Sequence, residues 1–435
     1  MLTTVKNAFK IKEIREKLLF TFLMLLVIRF GSQLPVPGIN REFFRDWFAA
    51  QRGGLIDAIT GGSFLNMSVL ALNITPYITS SIIIQLLTIA IPKLEEMQKE
   101  GEEGRKVLAS ITRYVTVGLA LIEAVAMVIG FGNQGLMEHK GALSAILAVV
   151  TLVAGSALLM WIGEQITDKG IGNGISIVLV INIISRIPQD ISSLFSQFVV
   201  GKRIAVAVLA AVIIIAVIVG MVVLVILLND AERRIPVQYA RKLQGRKMVG
   251  GTASSIPLKV NTAGVMPIIF ASSLMEFPVI LSQLFRFQKE TGFWAELLRY
   301  LSSSNWCDLS RPKYTIGMLV YIALLIFFAY FYTTITFNPI QIADNMKKQG
   351  GFIPGIRPGK PTSEYLQNIL NYIIFIGAIG LTIVGILPFI FRGLFNASIS
   401  FGGTSLIIIV SVILETIKQV ESMMLVRNYK GFLND

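Results

Sequence analysis

The feature that most constrains this chain is the recurrence of long, nearly uncharged apolar runs. Ten stretches, near 18–34, 74–92, 108–131, 144–166, 171–190, 204–228, 264–285, 316–336, 367–390 and 403–422, read as membrane-crossing helices. A crossing needs about 20 apolar residues at a rise of ~1.5 Å each. Only 15% of the 435 residues are charged and 54% are hydrophobic, where a soluble domain carries roughly a quarter charged. The longest intervals left over, 35–73, 229–263 and 337–370, fall short of the roughly 50 residues that an independent domain requires. A separate soluble catalytic domain is therefore excluded. The single cysteine, Cys307, and single histidine, His139, cannot supply a Cys/His metal site, a disulfide framework or a Cys–His nucleophile pair. Lys6, Lys10, Lys12, Arg15 and Lys17 precede the first run and no small-residue cleavage signal follows it, so it reads as a retained membrane helix.

Charge gives the orientation. With the N-terminus cytoplasmic, the inside segments hold 24 Lys and Arg and the outside segments 13, which favours that choice and, after an even number of crossings, a cytoplasmic C-terminus. Two intervals run against the trend: 167–174 is poor in positive charge although inside, and 286–315 is rich although outside.

The chain echoes itself. Pro76, Ile78 and the pair Ser80-Ser81 open the second run as Pro267, Ile269 and Ser272-Ser273 open the seventh, and Gly174-Ile175-Ser176 opens the fifth as Gly403-Thr404-Ser405 opens the tenth. Both pairs lie five runs apart. Five is odd, so matched helices run in opposite directions, the arithmetic of two inverted five-helix halves. Such halves meet along the functional path, which makes Ile78, Ile269, Leu179 and Ile408 candidates to face one another.

Residues 54–72 are apolar but interrupted by Gly61, Gly62, Ser63 and Asn66. Two placements are open: a re-entrant segment buried among the helices, or an amphipathic helix on the outer surface.

Much chemistry is missing. Charged residues in the runs include Arg29, Glu123, Glu164, Arg186, Glu276, Glu415, Lys418 and Glu421, of which Glu123 and Glu276 lie deep, few for an ion-coupled carrier. Gly355 to Pro361 imitates a phosphate loop, yet its glycine spacing is wrong and Pro361 stands where Ser or Thr should bind magnesium. The glycines of Asp168 to Gly174 join two membrane runs and read as a tight turn. What remains is a path lined by aliphatic side chains, which gates by dewetting and suits a substrate of variable sequence.

Two cytoplasmic intervals are basic: 229–263 carries Arg233, Arg234, Arg241, Lys242, Arg246, Lys247 and Lys259, and 337–370 carries Lys347, Lys348, Arg357 and Lys360. The positive-inside tendency accounts for such charges, and so does a docking role, in which a projecting hairpin meets RNA phosphates or an acidic protein surface.

At this point long ordered stretches are similar to those of a known family. Pro76 to Thr88, Gly163 to Ser176, Pro257 to Pro267, Phe337-Asn338-Pro339, Ala343 to Gly359 and Phe401 to Ser405 resemble the bacterial SecY family of protein-conducting channels, over nearly the whole chain. The resemblance implies an all-α membrane protein of ten transmembrane helices in two inverted five-helix halves, 1–196 and 197–435, forming an hourglass channel with a re-entrant plug near 57–72. It implies a pore ring of Ile78, Ile82, Leu179, Ile183, Ile269 and Ile408; a plug including Ile59, Gly61, Gly62, Phe64 and Leu65; a lateral gate involving Thr79, Gln85, Asn261, Ser273 and Phe277; and ribosome or SecA docking through Arg241, Arg246, Lys247, Arg357 and Lys360. Leu179 stands where isoleucine is commoner, Glu276 adjoins the gate position Phe277, and 301–313 matches nothing in the family.

The expected function is a translocase channel subunit, not an enzyme, without cofactor or metal. It passes unfolded secretory polypeptides and releases apolar segments into the bilayer, driven by the SecA ATPase or the translating ribosome. The partners implied are the small membrane subunits SecE and SecG, SecA, the ribosome with its rRNA phosphates, signal peptides with nascent chains, and the lipid bilayer, in a bacterial inner membrane. The competing reading is a small-solute secondary transporter with inverted repeats.

Overall fold

The computed structural model describes residues 9–42, 61–64, 66–131, 137, 141–201, 203–239, 242–244, 247–249, 253–284, 292–307, 312–395 and 403–431. Each of the ten apolar stretches lies on a helix. In the first half these are α1 (Lys12–Gly31), α2 (Thr75–Ala90), α4 (Glu102–Phe131), α5 (Ala142–Lys169) and α6 (Gly174–Phe198), with the short α3 (Pro92–Lys99) between α2 and α4. In the second they are α7 (Ile204–Asp230), α8 (Met266–Leu284), α10 (Thr315–Thr336), α12 (Lys360–Phe395) and α13 (Gly403–Gly431), with α9 (Phe293–Leu301) and α11 (Pro339–Lys348) outside the apolar stretches. Among the described residues, six helical segments qualify as crossings on their own by length and apolarity, seven when α2 is joined to α3 across a bend of 102°. Pro92 causes that bend, because it pushes Ile91 into an extended conformation with ψ 111°.

The halves repeat in their packing. In helices counted along the ten stretches, second packs on third, third on fourth, fourth on fifth, and first on both fourth and fifth; sixth to tenth repeat every one of those pairs. The duplication read from a few serines, prolines and glycines is thus carried by the whole arrangement. Between halves, α6 packs along α13, α6 meets α7, and α4 meets α8. The first of these joins the fifth and tenth helices, a matched pair.

The two basic intervals fold differently from each other and then join. In the first, β1 (Glu232–Tyr239) and β4 (Ala253–Lys259) form an antiparallel pair running from Glu232 opposite Lys259 to Gln238 opposite Ala253, with the small β2 (Lys242–Gln244) and β3 (Lys247–Val249) pair between them. The second contributes β5 (Gly351–Phe352), which pairs with the free edge of β1 and so covers it. Ile235, Val237 and Leu258 from the strands pack with Met346, Ile353, Leu366 and Ile369 beneath the sheet. Alternation along β1 puts Ile235 and Val237 inward and Arg234, Pro236 and Gln238 outward.

The interval before α10, unassigned by sequence, is pinned by Trp306. Its indole N–H donates to the Tyr300 carbonyl at 2.8 Å, and its ring lies 5.4 Å from Tyr321 and 4.9 Å from Phe389. Nearby, Lys313 Nζ sits 2.6 Å from Glu296 Oε1, and that hydrogen bond holds the Glu296 carboxyl below its ordinary pKa. The pair is exposed and orders the loop more than it stabilises the fold. Trp306, at 2% exposure, is different: Trp306→Ala is expected to cost about 3–5 kcal/mol, seen as a lower midpoint of thermal unfolding in detergent. An unchanged midpoint would remove Trp306 from the core.

Candidate functional site

Four helices contribute to one apolar cluster, in the two matched pairs α2 with α8 and α6 with α13. Pro76 sits in the first turn of α2, where its missing N–H costs nothing. Asn173 caps α6, its side-chain oxygen accepting from the Ile175 and Ser176 amides. The α5–α6 turn that precedes this cap is fixed from both halves: Thr21 of α1 accepts from Ile171 N at 3.2 Å and Gln419 of α13 accepts from Gly172 N at 2.7 Å. The glycine-dense segment is thus the tight turn its sequence suggested.

Five of the six expected ring residues, Ile78, Leu179, Ile183, Ile269 and Ile408, pack into one apolar cluster. Leu179, Ile183 and Ile408 are buried at 5%, 1% and 5% exposure, and Ile78 and Ile269 are half-buried. Ile82 lies one helical turn further along α2, in the adjoining cluster with Phe270, Leu406 and Ile407; Ile269 belongs to both clusters. These residues therefore form a continuous aliphatic seam where the halves meet.

The segment before α2 is re-entrant, which decides between the two open placements. Met67, Ser68, Ala71, Asn73 and Ile74 are all fully buried, which an interfacial helix would not allow. Leu70 and Ile74 pack against the ring cluster, while Phe64, Met67 and Leu72 pack against Ala120, Ala124 and Met127 of α4. Main-chain bonds from Val36 N to Met67 O at 3.0 Å and from Val69 N to Leu34 O at 2.8 Å tie it to the chain leaving α1. Of the expected plug residues, Gly61, Gly62 and Phe64 belong to this buried structure, and Ile59 and Leu65 lie outside the described residues.

The gate candidates do not form a single hydrogen-bonded cluster among the described residues. Thr79 donates to the Thr75 carbonyl within its own helix at 3.1 Å. Asn261 Nδ2 donates to Asn229 Oδ1 at 2.8 Å, and Asn229 Nδ2 donates to Ser411 Oγ at 2.7 Å. That ladder ties Asn261 to α7 and α13 within its own half. Gln85 and Ser273 are half-buried on α2 and α8, and the Phe277 and Glu276 side chains lie outside the described residues. The link from α2 to α4 is made instead by Ser80, whose hydroxyl donates to the Thr112 carbonyl at 2.8 Å.

Of the docking candidates, Arg357 and Lys360 are exposed at the start of α12. Lys360 rims a groove with Asp344 and Glu364 over a floor of Pro339 and Ala343. Arg241, Arg246 and the Lys247 side chain lie outside the described residues. No group of three or more His, Cys, Asp or Glu fit to hold a metal ion occurs among the described residues.

The family model named SecY matches residues 68–417. The protein translocase subunit SecY of Halalkalibacterium halodurans is 42% identical over 440 residues, covering 100% of both chains. The chain belongs to the SecY family. A solved structure described as concerning the plug domain of the SecY protein superposes with a TM-score of 0.62 at 20% identity, covering 96% of each chain. An idle yeast Ssh1 complex bound to the ribosome superposes with a TM-score of 0.62 at 14% identity, covering 95% of this chain and 89% of that one. Family membership makes the protein a multi-pass membrane subunit of a protein translocase and sets aside the solute-transporter reading.

Three polar side chains outside the expected sites are buried among the helices. Asn73 and Asn182 are buried at 0% and 3% exposure, and Ser156 at 2%. The signal was present: Asn182 is an amide within the aliphatic run Val178 to Ile184.

Proposed function

We propose that this chain forms the channel through which unfolded secretory polypeptides leave the cytoplasm, with Ile78, Ile82, Leu179, Ile183, Ile269 and Ile408 as the seal around the passing chain. The observation that carries this is the aliphatic seam at the meeting of the two halves, packed against a buried re-entrant segment. An aliphatic ring excludes ions by dewetting and binds no particular side chain, which is what a polypeptide of any sequence requires. The segment through Gly61, Gly62 and Phe64 acts as the plug. Apolar segments leave sideways between α2–α4 and α8–α10, past Thr79, Gln85, Ser273 and Phe277, with Asn261 at the base of α8. The packing of α4 on α8 is the contact that this exit parts.

The sheet that joins the two basic intervals makes one cytoplasmic platform, and Arg241, Arg246, Lys247, Arg357 and Lys360 dock the ribosome or the SecA motor there. The ribosome-bound yeast neighbour supports the first of these, and phosphate contacts of this kind are salt-sensitive and sequence-blind. The small subunits SecE and SecG complete the assembly in a bacterial inner membrane, with both termini cytoplasmic.

The test uses the single cysteine. Cys307→Ser is combined with Ile269→Cys, and vesicles are assayed for a disulfide to a stalled secretory chain that carries its own cysteine. A crosslink that depends on the signal sequence is expected. Its absence in vesicles that translocate would displace the ring from Ile269.

A further inference from the structure

Two asparagines sit beside an otherwise aliphatic constriction. Asn73 ends the re-entrant segment just before Ile74, and Asn182 lies on α6 between the ring residues Leu179 and Ile183. Asn182 Nδ2 donates to Asn73 Oδ1 at 3.0 Å, and the two residues are 3% and 0% exposed. The Asn73 carbonyl accepts from Ser156 Oγ of α5 at 3.2 Å. Asn73 has φ 53°, a left-handed conformation that asparagine adopts more readily than most residues. Earlier in the segment, the Ser185 hydroxyl lies 3.4 Å from the Gly61 carbonyl, and a Cβ at Gly61 would overlap the Asn182 backbone. Gly61 and Asn73 therefore both meet a single turn of α6.

We propose that the Asn73–Asn182 amide pair is the latch that fixes the plug in register against the constriction. This inference rests on reading the re-entrant segment as the plug. The contacts of Leu70 and Ile74 with the ring are apolar and non-directional, so on their own they allow the segment to slide or seat loosely. An amide pair does not. In an apolar setting an unmatched amide carries its full desolvation penalty, so a plug seated out of register is disfavoured. Once the segment swings into a water-filled pore, both amides are hydrated and the open state bears no such penalty. A pair of leucines would behave in the opposite way, resisting release because each would be exposed to water. The latch thus selects the seated position without making opening prohibitive.

The test compares the complete channel with its partner subunits in planar bilayers, as the native protein and as Asn73→Gly, Asn182→Ala and the double variant. Asn73→Gly keeps the left-handed backbone and removes only the amide; Asn182→Ser is a second, smaller-risk replacement on α6. Each single change is expected to raise the resting ion conductance about two- to tenfold, the population shift that one buried hydrogen bond provides. The double variant should leak no more than the worse single, because both remove the same bond. A purely structural role for either side chain would give effects that multiply. Resting conductance at the native level in Asn73→Gly and in Asn182→Ser, or multiplied effects in the double variant, would overturn the latch. Ile408→Asn in the same bilayers separates the two readings: if it leaks and the latch variants do not, the latch fails and the channel stands. If Ile408→Asn does not leak either, the constriction itself is misplaced.

Discussion

Replacing Ile408 with asparagine is expected to raise the resting ion conductance of the channel by about tenfold or more, the largest effect of any single change considered. Ile408 is 5% exposed and packs with Leu179, Ile183, Ile78 and Ile269 in the cluster where the halves meet. A dry aliphatic constriction holds ions back because water is unstable in it. An amide at that point has no protein partner in the cluster, and leaving it unsatisfied costs about 1–3 kcal/mol. Admitting water removes that cost, and a wetted constriction conducts. Ile408→Leu conserves volume and polarity and should keep the seal. The measurement is single-channel conductance of the purified complex without a translocating chain. Equal conductance in Ile408→Asn and Ile408→Leu would show that the seal lies elsewhere.

The membrane made most of this architecture legible. A bilayer forces each crossing to satisfy its own backbone, so the ten apolar runs announced their helices, and every one of them lies on a helix. The duplication was readable because it left matched side chains on matched helices, and Ile78, Ile269, Leu179 and Ile408 belong to one apolar cluster. Positions set by tertiary contacts were another matter. The interval 54–72 carries the composition of either a surface helix or a buried segment, and only the packing of its described residues, 61–64 and 66–72, between α4, α5 and α6 decides. Asn261 illustrates a different limit. Its place at the entrance to α8 is visible in sequence, but its hydrogen bond goes to Asn229, some thirty residues back along the chain, and no local pattern marks that partner. The basic intervals were legible as charge, and the first as a hairpin; the second folds as α11 and β5 instead, and the edge pairing of β5 on β1, which merges the two, depends on how distant segments meet.

Gly155 gives the sharpest contrast between local propensity and packing. It lies buried in α5, where Gly→Ala in an ordinary helix stabilises by about 0.5–1 kcal/mol. Here a Cβ would overlap the backbone carbonyl of Val69 in the re-entrant segment. Backbone cannot rotate aside as a side chain can, and Val69 is itself held by its bond to the Leu34 carbonyl. Gly155→Ala is therefore expected to destabilise by about 1–3 kcal/mol, opposite in sign to its helix propensity. The segment and α5 must also separate, which stretches the neighbouring bond from Ser156 to the Asn73 carbonyl and unseats the plug, so the resting conductance should rise with the loss of stability. Gly220 in α7 supplies the control, since a Cβ there meets nothing within 4 Å and Gly220→Ala should be neutral or stabilising with no leak. Thermal unfolding in detergent and conductance in bilayers read the two effects separately. If Gly155→Ala matched Gly220→Ala in both, the close approach of the plug to α5 would not exist in the working channel, and the segment would be held by the ring and the Asn73–Asn182 pair alone.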